Sequence, residues 1–379
     1  MAVDTAAVAF DREVRFGNSS YPFRLRSGQS SWTELAAQLS GLDADQFLVV
    51  ADSGIPESAI STVCASLQIL APVTVLEVAA KETSKTLTMI DDLSERAFVS
   101  RATRRSVFVA LGGGLAGNVA GLLAHLFLRG TRLVHIPTTL LAMSDSVLSF
   151  KQAVNSRVGK NHLGAFHAPE LVWAHLDFLA SLPRSEIQSA LCEAIKNVMA
   201  ICPELHDEMA ATLRPDADYS TTELSWFIGM CIDAKQRVME ADPFEKGRAL
   251  ILEYGHTVGH AAELVSGGTF SHGLAIGVGG LVAARIATSL GFGDPDLEST
   301  HEVLLGLNGA PTMFPAYLSP DQLLEAVRLD NKRGYIPYKP GCVDMVLLDG
   351  PGRPHQTGGS YITQVPEDVV MAAIQSRFS

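Results

Sequence analysis

The feature that most constrains this chain is a series of short β-branched runs separated by helix-length stretches. "FLVVAD" (47–52), "VTVLEV" (73–78), "VFVALGGG" (107–114) and "RLVHIPTT" (132–139) read as buried strands, with helices between them over 56–69 and 116–128. Strand and helix in alternation build a parallel sheet with crossover helices, and such sheets take ligands at the carboxyl ends of their strands. Near residue 180 the period changes. The stretches 184–209, 221–242 and 271–290 read as long amphipathic or buried helices, followed by one strand-like run at 342–350. The expected architecture is an α/β domain with a parallel sheet over 1–180 and a mainly α-helical domain over 181–379.

The 379 residues are long for a single hydrophobic core, which agrees with two domains. A formal net charge of −12 without basic runs argues against nucleic acid and against anionic membrane. Any phosphate must therefore be held by a few local lysines and backbone amides. The five scattered cysteines include no CxxC pair, as expected for a reducing cytoplasm. The first residues, "MAVDTAAVAFDREVRFG", contain no continuous apolar run, so no signal peptide is expected. No uncharged apolar stretch approaches the roughly 20 residues that span a bilayer.

Three segments concentrate chemistry. "GGGLAGNVAG" (112–121) lies where a strand ends and a helix begins, so that glycines and free helix amides can approach a pyrophosphate. Asp52, after an earlier strand, and Glu82 with Lys85 in "KETSKT" are candidates for a ribose and adenine. The stretch 144–169 carries Asp145, Lys151, Lys160, Asn161, His162 and His167 in a glycine-containing, weakly periodic context, suited to a phosphorylated, hydroxyl-rich ligand. "LEYGHTVGHAAELVSGGTFSHG" (252–273) places His256 and His260 four apart on one helical face, with His272 after a Gly-Gly loop. Glu193 has apolar helix neighbours, and a carboxylate there is costly to bury unless it is paired or metal-bound. Two histidines and one carboxylate make an open divalent-cation site.

The ordered set of these motifs, with "IPTTLLAMSDS" (136–146), Lys151 and "GKNHLGAF" (159–166), and "EAIKN" (193–197), resembles the dehydroquinate synthase-like sugar phosphate cyclases over about residues 45 to 335. The resemblance implies a Rossmann-like first domain, a helical second domain, bound NAD, one divalent metal (Co2+ or Zn2+) and a homodimer. It assigns the metal to Glu193, His256 and His272. It places His260 near the substrate phosphate with a part in proton transfer, and Asp145, Lys151, Lys160, Asn161 and Lys235 along the substrate and nicotinamide pocket. Lys332, in "LDNKRG", matches a phosphate-contacting lysine. Asp52, Glu82, Lys85, Gly113, Gly114, Asn118, Thr138 and Thr139 fall at NAD-contacting positions.

Two departures discriminate within the family. Where dehydroquinate-forming members carry an Asn near the substrate carboxylate this chain has Glu253, and Arg248 lies one residue further from His256 than their pattern requires. An anionic Glu repels a carboxylate but suits a neutral sugar hydroxyl. Asn118 likewise replaces an Asp of those members. The charge of Glu253 points to a substrate without a carboxylate, and the resemblance to family members that carry Asn118 and this Glu253 segment implies glucose 6-phosphate, with Glu253 binding a hydroxyl or moving a proton and with Lys151, Lys235, Glu253 and His260 as the catalytic set. The alternatives are a cyclase acting on a seven-carbon sugar phosphate, a metal-dependent polyol dehydrogenase of the same architecture, and a non-enzymatic binding subunit.

Overall fold

The computed structural model describes residues 10–378 apart from 80, 158, 331 and 333. The chain divides into two units, Met1–Leu182 and Pro183–Ser379. Among the described residues no helix is long and apolar enough to cross a membrane.

In the first unit the strands are β1 (Phe10–Phe16), β2 (Ser19–Arg26), β3 (Phe47–Asp52), β4 (Val73–Val78), β5 (Val107–Gly112), β6 (Arg132–Pro137), β7 (Lys151–Val154), β8 (Leu163–Phe166) and β9 (Leu171–His175). The helices are α1 (Trp32–Leu39), α2 (Glu57–Gln68), α3 (Leu87–Val99) and α4 (Gly114–Leu126). One seven-stranded sheet runs β1-β2-β9-β6-β5-β3-β4, parallel except for the antiparallel edge pair β1–β2. The four runs read from the sequence are β3 to β6, and β5 is buried at every residue. Two cores cover the two faces. One packs Leu48, Val50 and Phe108 against α3 and α4, and the other packs Val49, Val109 and Trp173 against α1 and α2. Chain direction along the sheet reverses between β3 and β5, and the crevice outside the carboxyl ends of two such strands is where open α/β sheets bind ligands.

The hairpin β1–β2 lies outside the pattern of buried runs. Charged Glu13 and Arg15 alternate with buried Val14 and Phe16, as expected of an edge strand with one face on the core. The segment 144–169 is more ordered than a loop. A π-type turn spans Ala142–Ser146, and β7 and β8 form an antiparallel hairpin with Lys151 opposite Phe166.

The second unit holds α5 (Arg184–Ala200), α6 (His206–Thr212), α7 (Thr221–Met239), α8 (His256–Val265), α9 (His272–Ser289), α10 (Leu297–Leu307), α11 (Pro320–Val327) and α12 (Glu367–Gln375). Small two-stranded pairings also occur among β10 (Cys342–Met345), β11 (Leu348–Gly350), β12 (Arg353–Pro354) and β13 (Thr363–Pro366). The single helix expected over 184–209 breaks into α5 and α6, because Pro203 has no N–H to continue the ladder. The run 342–350 divides into β10 and β11, which pair with different partners. The α7 helix opens on a capping box of Ser220 and Glu223.

Glycines let α8 approach α9 backbone to backbone. Gly255, at φ 78°, could not become another residue without strain, and its Cβ would also lie 2.9 Å from the Gly280 nitrogen. A Cβ on Gly279 would meet the Gly255 carbonyl oxygen at 2.2 Å. This close packing accounts for small residues around the histidines: it sets the start of α8 against the middle of α9 and leaves His272, at the start of α9, beside Glu263 near the end of α8.

Candidate active site

In the second unit, Glu193 projects from the buried middle of α5 and is 1% exposed. Its Oε1 lies 3.5 Å from His256 Nε2 and 3.3 Å from His272 Nε2. A tetrahedral ion with ligands at about 2.0–2.2 Å sets the ligand atoms about 3.3–3.6 Å apart, which is this spacing. Both Glu193 oxygens are buried without a well-formed hydrogen bond, although the Lys196 ammonium pairs with Oε2 at 2.6 Å. The donor set is therefore of the type and spacing that a divalent cation requires. Nitrogens of His256, His260 and His272 also lie within 4.8 Å of one another, so His260 stands at the edge of the same cluster.

Each group is tuned by its neighbours. Burial alone would raise the Glu193 carboxyl, but Lys196, with His256 and His272, holds it well below its usual range. Burial and the Lys196 charge push His256 well down, and its Nδ1 faces the Tyr254 carbonyl at 3.1 Å. A carbonyl only accepts, so the proton sits on Nδ1 and the Nε2 lone pair faces Glu193. Burial also opposes charge on His272, yet the nearby Glu193 and Glu263 carboxylates raise it to about 10. Burial, reinforced by the Lys332 charge, lowers His260 to about 4, which leaves it a neutral imidazole at pH 7.

A second charged group adjoins His260. Lys332, 1% exposed, donates to Glu253 Oε2 at 3.1 Å and to Asp330 Oδ1 at 3.0 Å. Burial would lower the Lys332 ammonium, but the Glu253 and Asp330 charges outweigh it and raise its pKa. A buried ammonium needs counter-charges, and Lys332 takes Glu253 and Asp330 as two of them. Lys235 is buried on α7.

In the first unit, β3 and β5 end together. A Cβ on Gly112 would lie 2.6 Å from the Ala116 side chain and 3.2 Å from Asp52 Cβ. Thr139 closes on this turn, with its Cγ2 3.3 Å from where a Gly113 Cβ would stand, and the Thr138 amide donates to the Gly112 carbonyl at 2.9 Å. No side chain caps the start of α4, so its leading amides suit a pyrophosphate. A Cβ on Gly114 would meet Ser146 Oγ at 2.7 Å, in the turn that also carries Asp145. Asn118, expected at the cofactor, follows on α4. It accepts from the Ala153 amide at 2.9 Å and donates to the Gly114 carbonyl at 2.8 Å, tying β7 to α4.

Glu82, Lys85, Lys160 and Asn161 form one knot. Lys85 donates to Asn161 Oδ1 at 2.5 Å and Lys160 pairs with Glu82 at 3.3 Å. Asn155, absent from the expected set, joins both, donating to Glu82 at 2.7 Å and accepting from the Asn161 amide at 2.9 Å. Lys151 is exposed at the start of β7. Lys196 and Glu263 were also missed. Glu263 was legible in principle, since His256, His260 and Glu263 fall at i, i+4 and i+7 on α8.

Family models for 3-dehydroquinate synthase match this chain, the N-terminal model over residues 75–189 and the C-terminal model over 190–333. The chain belongs to the 3-dehydroquinate synthase family. Within that family it is 44% identical to a 2-deoxy-scyllo-inosose synthase of Streptoalloteichus tenebrarius over 94% of this chain and 92% of the relative. It is 40% identical to the enzyme of the same name from Streptomyces kanamyceticus, covering 95% and 92%. A crystal structure of 2-deoxy-scyllo-inosose synthase complexed with carbaglucose-6-phosphate, NAD+ and Co2+ superposes with a TM-score of 0.90 at 35% identity, covering 97% of this chain and all of that one. The α/β-plus-helical architecture expected from the sequence is the fold of this family.

Proposed function

We propose that this protein is a 2-deoxy-scyllo-inosose synthase, converting glucose 6-phosphate to a six-carbon ring ketone and inorganic phosphate with NAD+ and a divalent metal, in the assembly of 2-deoxystreptamine aminoglycosides. The observation that carries the reading is the convergence of Glu193, His256 and His272 at metal-ligand spacing, in a chain 44% identical to an enzyme of that name. When bound, NAD+ supplies reversible hydride acceptance and the divalent ion supplies Lewis acidity toward a sugar oxygen. The overall change has no net redox, so the nicotinamide is recycled.

Glu193, His256 and His272 hold the ion, and two imidazoles with one carboxylate leave positions open for substrate oxygens. His260, at the edge of the ligand cluster, lies near the substrate phosphate and takes part in proton transfer. Glu253, fixed by Lys332, accepts a hydrogen bond from a sugar hydroxyl. Lys332 and Lys235 supply positive charge for the phosphate. In the first unit, Asp52, Glu82, Lys85, Gly113, Gly114, Asn118, Thr138 and Thr139 hold NAD, while Asp145, Lys151, Lys160 and Asn161 line the nicotinamide and bind substrate oxygens. The same reading makes the protein a cytoplasmic homodimer.

Purified protein given glucose 6-phosphate, NAD+ and Co2+ is expected to form a six-carbon cyclic ketone and equimolar phosphate without accumulating NADH. Intact glucose 6-phosphate overturns the reading, NADH accumulation points to a polyol dehydrogenase, and phosphate release from sedoheptulose 7-phosphate alone points to a seven-carbon cyclase. Glu253→Asn restores the residue type of the carboxylate-handling members while Asp330 still pairs with Lys332. It is expected to lower kcat/KM for glucose 6-phosphate about 100-fold, the lower end of what a positioned proton-transfer group contributes. Phosphate release measures it, and unchanged kinetics remove Glu253 from the mechanism.

A further inference from the structure

The two histidines that face Glu193 are supported differently. His256 Nδ1 is held by a backbone carbonyl, that of Tyr254, fixed by the chain two residues before it. His272 is the first residue of α9, and its Nδ1 donates instead to a side chain, Glu263 Oε2, at 3.1 Å. Glu263 comes from α8, one turn beyond His260, and its side chain is 12% exposed against 26% for His272. A histidine at the start of a helix can rotate about its ring torsion and exchange its nitrogen and carbon edges. One hydrogen bond at Nδ1 decides which edge faces inward, and a carboxylate acceptor makes that bond strong.

We infer that Glu263 is a positioning residue for the metal site: by accepting from His272 Nδ1–H it turns Nε2 toward Glu193, so that metal affinity depends on a side chain that touches no metal. The arrangement is a carboxylate–histidine pair behind a metal ligand, which elsewhere orients the ring and raises ligand basicity. It explains an acidic residue beside a site that already has a buried carboxylate. It also explains why α8 carries His256, His260 and Glu263 on one stripe, since the stripe supplies one ligand directly and orients the ligand from the neighbouring helix.

The inference rests on the reading of Glu193, His256 and His272 as ligands, and the test separates the two. Metal-free full-length wild type, Glu263→Ala, Glu263→Gln and His272→Ala are titrated with Co2+, by calorimetry and by the visible absorption of the bound ion. Glu263→Ala is expected to weaken Co2+ binding by about 10- to 100-fold and to shift the visible band. Glu263→Gln, whose amide oxygen still accepts from Nδ1–H, is expected to stay within a few-fold of wild type, and being isosteric it serves if the alanine variant melts early. Wild-type affinity in Glu263→Ala overturns the inference while leaving the ligand set intact, and so does a glutamine variant as weak as a misoriented His272 would be. No Co2+ binding by wild type, or undiminished binding by His272→Ala, overturns the ligand reading and this inference with it.

Discussion

Glu193→Gln is expected to abolish turnover and to weaken Co2+ binding by well over 100-fold, beyond the roughly 10–100-fold that loss of an outer support alone costs. The carboxylate is the anionic member of the ligand set, and its Oε1 faces both imidazoles at 3.3 and 3.5 Å. The substitution also strips Lys196, a side chain 3% exposed, of its ion pair with Glu193 at 2.6 Å, while the Leu252 carbonyl still accepts from it at 2.8 Å. Breaking a buried pair from one side costs about 3–5 kcal/mol, so the variant should also melt early. The double variant Glu193→Gln/Lys196→Met separates the two effects, since removing both charges should recover most of the stability and none of the metal affinity. Thermal melts and Co2+ titrations of the single and double variants decide it. A Glu193→Gln protein that binds Co2+ like wild type takes Glu193 out of the site.

Gly273→Ala, a change of one methyl group, is expected to cost about 3 kcal/mol or more, at the upper end of overpacking penalties. An added Cβ would stand 1.8 Å from the Ser189 carbonyl oxygen and 2.5 Å from its carbon, both backbone atoms of α5 that no rotamer change can clear. The helices must therefore part. Gly273 follows His272, and Ser189 lies one turn before Glu193, so the displacement opens the His272–Glu193 spacing directly. The expected readout is a melting temperature lower by about 10 °C, at about 2–4 °C per kcal/mol for a domain of this size, together with weakened Co2+ binding in whatever protein folds. Gly306→Ala, on α10, is the control, because a Cβ there meets nothing within 4 Å. Equal melting temperatures for the two variants would refute the packing account.

Local pattern carried much of this protein. Strands β3 to β6 were legible because a buried parallel strand is a continuous apolar run, and a candidate ligand site at the end of one was legible because glycines there lead into a helix start. The edge hairpin β1–β2 and the break at Pro203 were less so, since a half-exposed strand looks like ordinary surface and a helix on either side of a proline keeps its period. The histidines announced themselves by spacing along one helix, four and seven residues being neighbours on its surface. What they would meet depended on distant chain. Only the tertiary structure decided that Glu193 of α5 reaches both imidazoles, that Lys332 is buried between Glu253 and Asp330, that Asn118 ties a hairpin to a helix, and that Asn155 joins Glu82 to Asn161. The physical reason is range: hydrophobic period and turn chemistry act over a few residues. The partner of a buried charge, by contrast, is set by which helices pack, and here that was settled by glycine backbones in contact between α8 and α9 and between α9 and α5.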